Sequence, residues 1–166
     1  EDRFANVKPF LDADGREIYP KDIISCICLS DYNEMYLGLE EQGVAKLDLV
    51  TGTVTRLQLS DNPAAPLFVR HILQYSPDEL WIGTESGIVV YNIRTRRYQH
   101  LKSSPYDPYS LSDNAVYSLC KDREGGLWIG SFFGGINYLP QRNSDFEKYY
   151  HTDDPHSLRA VSYTHL

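Results

Sequence analysis

The core Leu-Trp-Ile-Gly occurs twice in this chain, at Leu80-Trp81-Ile82-Gly83 and Leu127-Trp128-Ile129-Gly130, 47 residues apart. A repeat restricts the possible folds more than any local propensity does, because each copy must find an equivalent environment. A weaker third copy, Met35-Tyr36-Leu37-Gly38, puts Tyr36 in the tryptophan's place, 45 residues before Trp81. The surroundings repeat as well. Ile24 and Ile27, Val69 and Ile72, and Val116 and Leu119 stand twelve and nine residues before the aromatic in the three copies. A glycine follows each core (Gly43, Gly87, Gly135) and leads into an apolar run ending at Leu47, Tyr91 or Leu139. A β-rich piece closes each unit, at residues 53–57, 97–101 and 146–150.

Read as a strand, the third core points Leu127 and Ile129 to one face and Trp128 and Gly130 to the other. Neither face is polar, which predicts a strand covered on both sides rather than one with a face in water. Each unit therefore offers four short strands in about 46 residues. That period is the signature of a β-propeller blade. A small sheet with two apolar faces cannot bury both alone, and stacked blades bury them mutually. Parallel βαβ units are disfavoured, because the connections hold Pro and Gly and show no helical periodicity.

The marks of the WD40 type, Gly-His and Trp-Asp, are absent from these units. The stretch from Asn114 instead resembles the two-component regulator propeller repeat. Asn114, Val116, Leu119, Asp122, Gly125, Leu127, Trp128, Ile129, Gly130, Gly134, Gly135 and Ile136 fall on that pattern. Ser131 and Leu139 depart from it, where the repeat has Thr and Tyr. Tyr75 replaces the aspartate in the second unit, and Tyr36 the tryptophan in the first. The resemblance covers about residues 22–158, because the connector Tyr106-Asp107-Pro108-Tyr109-Ser110-Leu111 returns as Asp153-Asp154-Pro155-His156-Ser157-Leu158.

The expected fold class is all-β, a β-propeller fragment of about three four-stranded antiparallel blades with partial blades at the ends. Residues 1–21 read as the end of a preceding blade and a connector, 22–68, 69–115 and 116–158 as blades. Residues 159–166 read as a broken start of a next blade or an artefactual tail. Three units are fewer than the four to eight that close a ring, so the end blades should expose apolar faces that further blades of a longer parent cover. Leu11-Asp12-Ala13-Asp14-Gly15-Arg16-Glu17-Ile18 predicts a hairpin turn at Asp-Gly; the ligand series of a calcium loop is missing.

Charge and motifs narrow the function classes. The net charge is −7, from 16 Lys and Arg against 23 Asp and Glu, with no basic run. A nucleic-acid partner is not expected, and neither is attraction to anionic membrane. No apolar stretch is long enough to span a bilayer, so membrane attachment would come only through parent segments outside this chain. The three cysteines show no zinc spacing, and Cys28 and Cys120, equivalent in their units, read as small buried apolar residues. Metalloprotease, nucleophile-elbow and phosphate-loop motifs are absent, and the five histidines share no ligand spacing. No catalytic residue, metal or cofactor is expected.

Aromatic residues are the better lead, with 13 Tyr, 6 Phe and 2 Trp. Trp81 and Trp128 read as packing between blades, each worth about 5 kcal/mol at most for roughly 200 Å² buried. Asp122 reads as the acceptor that caps its turn. Phe132, Phe133, Tyr106 and Tyr109 differ because they fall in loops. In a propeller the loop between the second and third strands opens on the same face as the connector between blades. Phe132 and Phe133 should therefore share a rim with Tyr106, Tyr109 and Asn114, the five candidate ligand-binding residues. Flat aromatic faces beside polar groups suit a sugar ring. Packing of the two phenylalanines against the next connector is the plain structural alternative.

The resemblance implies a function that spacing alone does not. Proteins with such propellers use them as the periplasmic sensor of hybrid two-component regulators, where oligosaccharide binding is coupled through a membrane segment to a histidine kinase. On that basis the chain is expected to be a non-enzymatic, periplasmic sensing segment of a receptor that forms a homodimer. A propeller lyase or hydrolase, and a protein-interaction scaffold, are the alternatives.

Overall fold

The computed structural model describes residues 10–12, 14–18, 22–30, 32–62 and 64–141, for Glu17 and Ile18 the backbone alone. Every regular element among them is a strand. A short hairpin comes first, β1 (Phe10–Leu11) and β2 (Glu17–Ile18), joined by the Asp-Gly turn with Gly15 at a φ of 78°. Asp12 fixes that turn, its Oδ1 accepting the backbone N–H groups of Asp14 and Arg16.

Three antiparallel meanders follow. The first is β3 (Ile24–Leu29), β4 (Glu34–Leu39), β5 (Gly43–Asp48) and β6 (Val54–Arg56). The second is β7 (Val69–Ser76), β8 (Glu79–Thr84), β9 (Gly87–Asn92) and β10 (Tyr98–Leu101). The third contains β11 (Val116–Lys121), β12 (Leu127–Ser131) and β13 (Ile136–Leu139). Its expected fourth strand at 146–150, the connector copy at 153–158 and the tail lie outside the described residues. The first strands β3, β7 and β11 run beside one another, so the sheets are propeller blades fanned about an axis that these strands line.

The alternation along each middle strand explains how the blades stack. Leu80 and Ile82 of β8 face back and pack with Tyr36, Val44, Val69 and Ile72 between the first and second blades. Trp81, between them in sequence, faces forward and packs with Val116, Leu119, Leu127 and Ile129 between the second and third. One strand thus serves two cores, which is why neither of its faces is polar. The outer face of the first blade, Leu37, Leu39 and Ala45, is covered in part by Phe10 of the leading hairpin.

The glycine that ends each core is a close-approach position. A Cβ built on Gly83 would lie 2.9 Å from Val116 Cγ1 and 3.0 Å from its carbonyl oxygen. One on Gly38 would lie 2.8 Å from Val69 Cγ1. In both cases the neighbour is the first residue of the next blade's inner strand. At Gly38 and Gly83 the glycine is therefore a place where one blade admits the next, whereas a Cβ on Gly130 would meet Ser118 of its own inner strand.

The third blade exposes an apolar face, as expected of an end blade: Leu127 and Ile129 are buried, but Trp128 is 45% exposed, and Ile136 and Tyr138 on the neighbouring strand are exposed with it. Among the described residues β12 is thus covered on one side, where its two apolar faces predict cover on both. No described residue stacks on that face. For the same reason Cys120 is exposed rather than buried, whereas Cys26 and Cys28 pack against the core between the first two blades. Burial raises the pKa of both of these thiols. The opposite, outer face of the first blade likewise exposes Ile27, although its counterparts Ile72 and Leu119 are buried.

Candidate functional site

Each inner strand carries a β-bulge at the same register. Pairing passes from Ile24 to Cys26, from Val69 to His71 and from Val116 to Ser118, leaving Ser25, Arg70 and Tyr117 out of the ladder. These three stand eleven residues before the blade aromatic in every copy. A bulge re-aims the side chain it releases. Ser25 turns its hydroxyl to the carbonyls of Gly38 and of Val69 in the next blade, at 3.1 and 2.7 Å. Arg70 and Tyr117 reach the turns between second and third strands.

Those turns hold a second set of equivalent residues, four after the blade aromatic: Glu40, Glu85 and Phe132. The two sets interlock from blade to blade. Arg70 donates from Nε to Glu85 Oε1 of its own blade at 3.0 Å and from Nη2 to the same oxygen. Its Nη1 lies 3.8 Å from Glu40 of the preceding blade. Tyr117 donates its hydroxyl to Glu85 of the preceding blade at 3.1 Å, and its ring lies 5.3 Å from Phe132 of its own. The Arg70 guanidinium stands 5.3 Å from the Tyr117 ring centroid, within cation–π range. The result is a continuous band, Glu40–Arg70–Glu85–Tyr117–Phe132, across three blades at the mouth of the inner strands. The Arg70 guanidinium, helped by the Tyr117 hydroxyl, holds Glu85 below the usual carboxylate range despite some desolvation.

Phe132 and Phe133 stack edge to face with centroids 4.5 Å apart. The loop carrying them is tied down along its length. Phe132 N–H donates to Ala115 O at 2.8 Å and Ser131 N–H to Gly135 O at 2.9 Å. Ser112 Oγ donates to Gly134 O at 2.8 Å, and Phe133 N–H to Asp113 Oδ2 at 2.9 Å. Gly135 takes a φ of 71°, as the sequence predicts for a tight turn there. Phe133 is nonetheless 85% exposed. Hydrogen bonding to the Phe133 N–H, with further backbone donors, keeps the Asp113 carboxyl below its ordinary range.

The other candidates sit differently. Asn114 has structural work: its Oδ1 accepts Ser103 N–H at 2.8 Å and its carbonyl accepts Gly87 N–H at 2.7 Å, joining connector to turn. Tyr106 and Tyr109 project from the connector, 94% and 83% exposed. Backbone turns around Ser104, Asp107 and Ser110 shape that connector. Phe132 therefore meets Tyr117, a residue sequence reading passed over, as it passed over Arg70, Glu85 and Glu40. The signal was available as fixed offsets of minus eleven and plus four from the aromatic.

Asp122 caps its turn as expected, Oδ1 accepting the N–H groups of Glu124 and Gly126, while Oδ2 accepts the Trp128 indole N–H at 3.1 Å. Among the described residues no three His, Cys, Asp or Glu side chains gather as metal ligands.

The pattern of the two-component regulator propeller family matches residues 110–133. Histidine kinase P4 of Formosa agariphila is 37% identical over 70 residues, which are 42% of this chain and 5% of that kinase. An extracellular domain assigned to a hybrid two-component system of B. thetaiotaomicron superposes with a TM-score of 0.61. Its identity is 19%, over 81% of this chain and 16% of that one. A chain of a mitotic checkpoint complex superposes with a TM-score of 0.54 at 22% identity, over 82% of this chain and 39% of that one. At these identities the structural likeness is one of fold, and the chain spans only a small part of these proteins.

Proposed function

Because this chain carries the two-component regulator propeller repeat, we propose that it belongs to the extracytoplasmic sensor of a hybrid two-component receptor. In this proposal the sensor lies in the periplasm, recognises an oligosaccharide and signals to a histidine kinase elsewhere in the parent protein. The observation that carries the ligand part is the Phe132–Phe133–Tyr117 shelf, exposed, held by backbone hydrogen bonds and bordered by ionised carboxylates. A pre-ordered aromatic surface loses little entropy on binding. Its faces suit the C–H side of a sugar ring, and the carboxylates suit hydroxyl donors.

Signalling follows from differential affinity. Further blades complete the ring, and a ligand that binds one arrangement of the receptor homodimer better than another shifts the population toward it. The hydrolase alternative needs one carboxyl held protonated as general acid beside an ionised partner. Glu85 is pushed the other way, by its fork with Arg70, so it does not suit the general-acid role. Titration calorimetry of the complete ectodomain against a panel of oligosaccharides tests the proposal. Heat of binding for at least one sugar is expected; no heat for any of them, together with binding to a protein, would overturn it.

A further inference from the structure

We infer that the band at positions minus eleven and plus four selects uncharged oligosaccharides and rejects uronate or sulfated ones. This inference rests on the proposed glycan-sensing reading and assigns its ligand class. The charges around the aromatic shelf are unequal. Glu40, Glu85 and Asp113 are acidic, and among the described residues Arg70 is the cation that pairs with Glu40 and Glu85. Arg70 is committed on two sides to carboxylates and on a third to the Tyr117 face. Its donors are thus directed at Glu40 and Glu85, and a ligand anion would compete with them for it.

Glu85 and Asp113 stay ionised through neutral pH, each held low by a donor on the protein. An ionised carboxylate has several lone-pair sites and no proton. A sugar hydroxyl meets that requirement as a donor, whereas a ligand carboxylate or sulfate meets it with repulsion. Asp113 Oδ2 accepts the Phe133 N–H, so an acidic group is fixed at the backbone of the residue that carries the exposed ring. A sugar stacked on Phe133 would therefore bring its edge hydroxyls near a fixed acceptor. Like charges brought together in this way cost affinity and slow encounter.

The two positions have a further property. Scaffold residues on either side of them, Val69, Ile72 and Ile82 for example, are buried in the cores between blades. The bulged residue differs in all three copies and the turn residue differs in the third: Ser25 with Glu40, Arg70 with Glu85, Tyr117 with Phe132. Each blade thus contributes one pair to the recognition band while its scaffold repeats.

The test measures affinities of the complete ectodomain for neutral, uronate-containing and sulfated oligosaccharides of matched length, with Glu85→Gln and Phe133→Ala beside the parent. A neutral sugar should bind at least about tenfold more tightly than its charged counterparts. Glu85→Gln should weaken the neutral ligand by roughly tenfold, the scale of a hydrogen bond to a charged group, and narrow the gap to the charged ones. Phe133→Ala, whose ring is exposed, should weaken binding of the neutral sugar while circular dichroism stays unchanged. Tighter binding of a uronate or sulfated sugar would overturn the inference and leave the sensing proposal standing. Binding of a neutral sugar that neither variant disturbs would also overturn it, by placing the ligand elsewhere. Absence of binding to every sugar would overturn both.

Discussion

Trp81 and Trp128 occupy the same place in the same four-residue core, yet they end in different surroundings. Trp81 is 7% exposed beneath the third blade, with its indole N–H unpartnered. Trp128 is half exposed and donates its N–H to Asp122. A second difference lies at one position. Where the third blade has Asp122, the second has Tyr75, whose hydroxyl reaches Gly125 O of the next blade at 2.7 Å and whose ring lies 5.7 Å from Trp81. The second blade thus trades a hydrogen bond inside the sheet for one across the blade junction. A burial that repeats by sequence therefore depends on the neighbour, as stacking of repeats requires.

Truncating the two tryptophans is the largest perturbation. Trp81→Ala should cost about 3–5 kcal/mol in chemical denaturation, the usual loss for a buried large aromatic. In the complete parent, with a further blade on its face, Trp128→Ala should cost about as much. A melting temperature that Trp128→Ala leaves unchanged would show that nothing stacks there and would make the two copies different in kind.

The junction glycine is the next test. Gly83→Ala forces a methyl against Val116 and should cost about 1–3 kcal/mol, the range for overpacking. Gly52→Ala, where a Cβ would meet nothing within 4 Å but φ is 74°, separates backbone strain from contact. It should cost about 1–2 kcal/mol, the price of a left-handed conformation for a residue with a side chain.

Asp122→Ala should lower the melting temperature by less than either of these, since its partners stand at an accessible turn. It should also change the fluorescence of Trp128 and not that of Trp81. A shift in both signals would mean that the two indoles share an environment after all.

The smallest effect is a pH dependence at Asp113. Its folded pKa lies below the unfolded one, so its stabilising contribution is complete above the ordinary carboxylate range and is lost as pH falls through the depressed value. The melting-temperature gap between the parent and Asp113→Asn should stay constant near neutrality and close in acid. A gap that persists at the acid end would assign it to geometry rather than charge.

The blade was legible because its determinants are local. Apolar alternation around Trp81, glycines at the turns and a fixed period specify a four-stranded meander without reference to any partner. The Asp12 hairpin and the Asp122 cap could be read for the same reason. The recognition band could not be read that way. A bulge is one unpaired residue, and a period-two pattern gives no hint that Arg70 or Tyr117 leaves the ladder. Phe132 stood out because two exposed aromatics in a turn are unusual. Nothing local marks Glu40 and Glu85 at the equivalent position, and only the stacking of neighbouring blades brings Arg70 between them. Cys120 is exposed where its sequence reads as buried, because burial in a stacked array belongs to the pair of blades and cannot be read from one.

The bulges also bear on how such a chain can change over time. A residue outside the ladder can be exchanged without moving its neighbours to the wrong face of the sheet, which a shift of register would do. Ser25, Arg70 and Tyr117 differ in size, charge and polarity, yet the strands around them superimpose in pairing. Duplication of a blade would therefore add one more substitutable place to the mouth of the ring with no rebuilding of the walls. Drift at those places would change what the ring recognises while the inherited frame stays as it is.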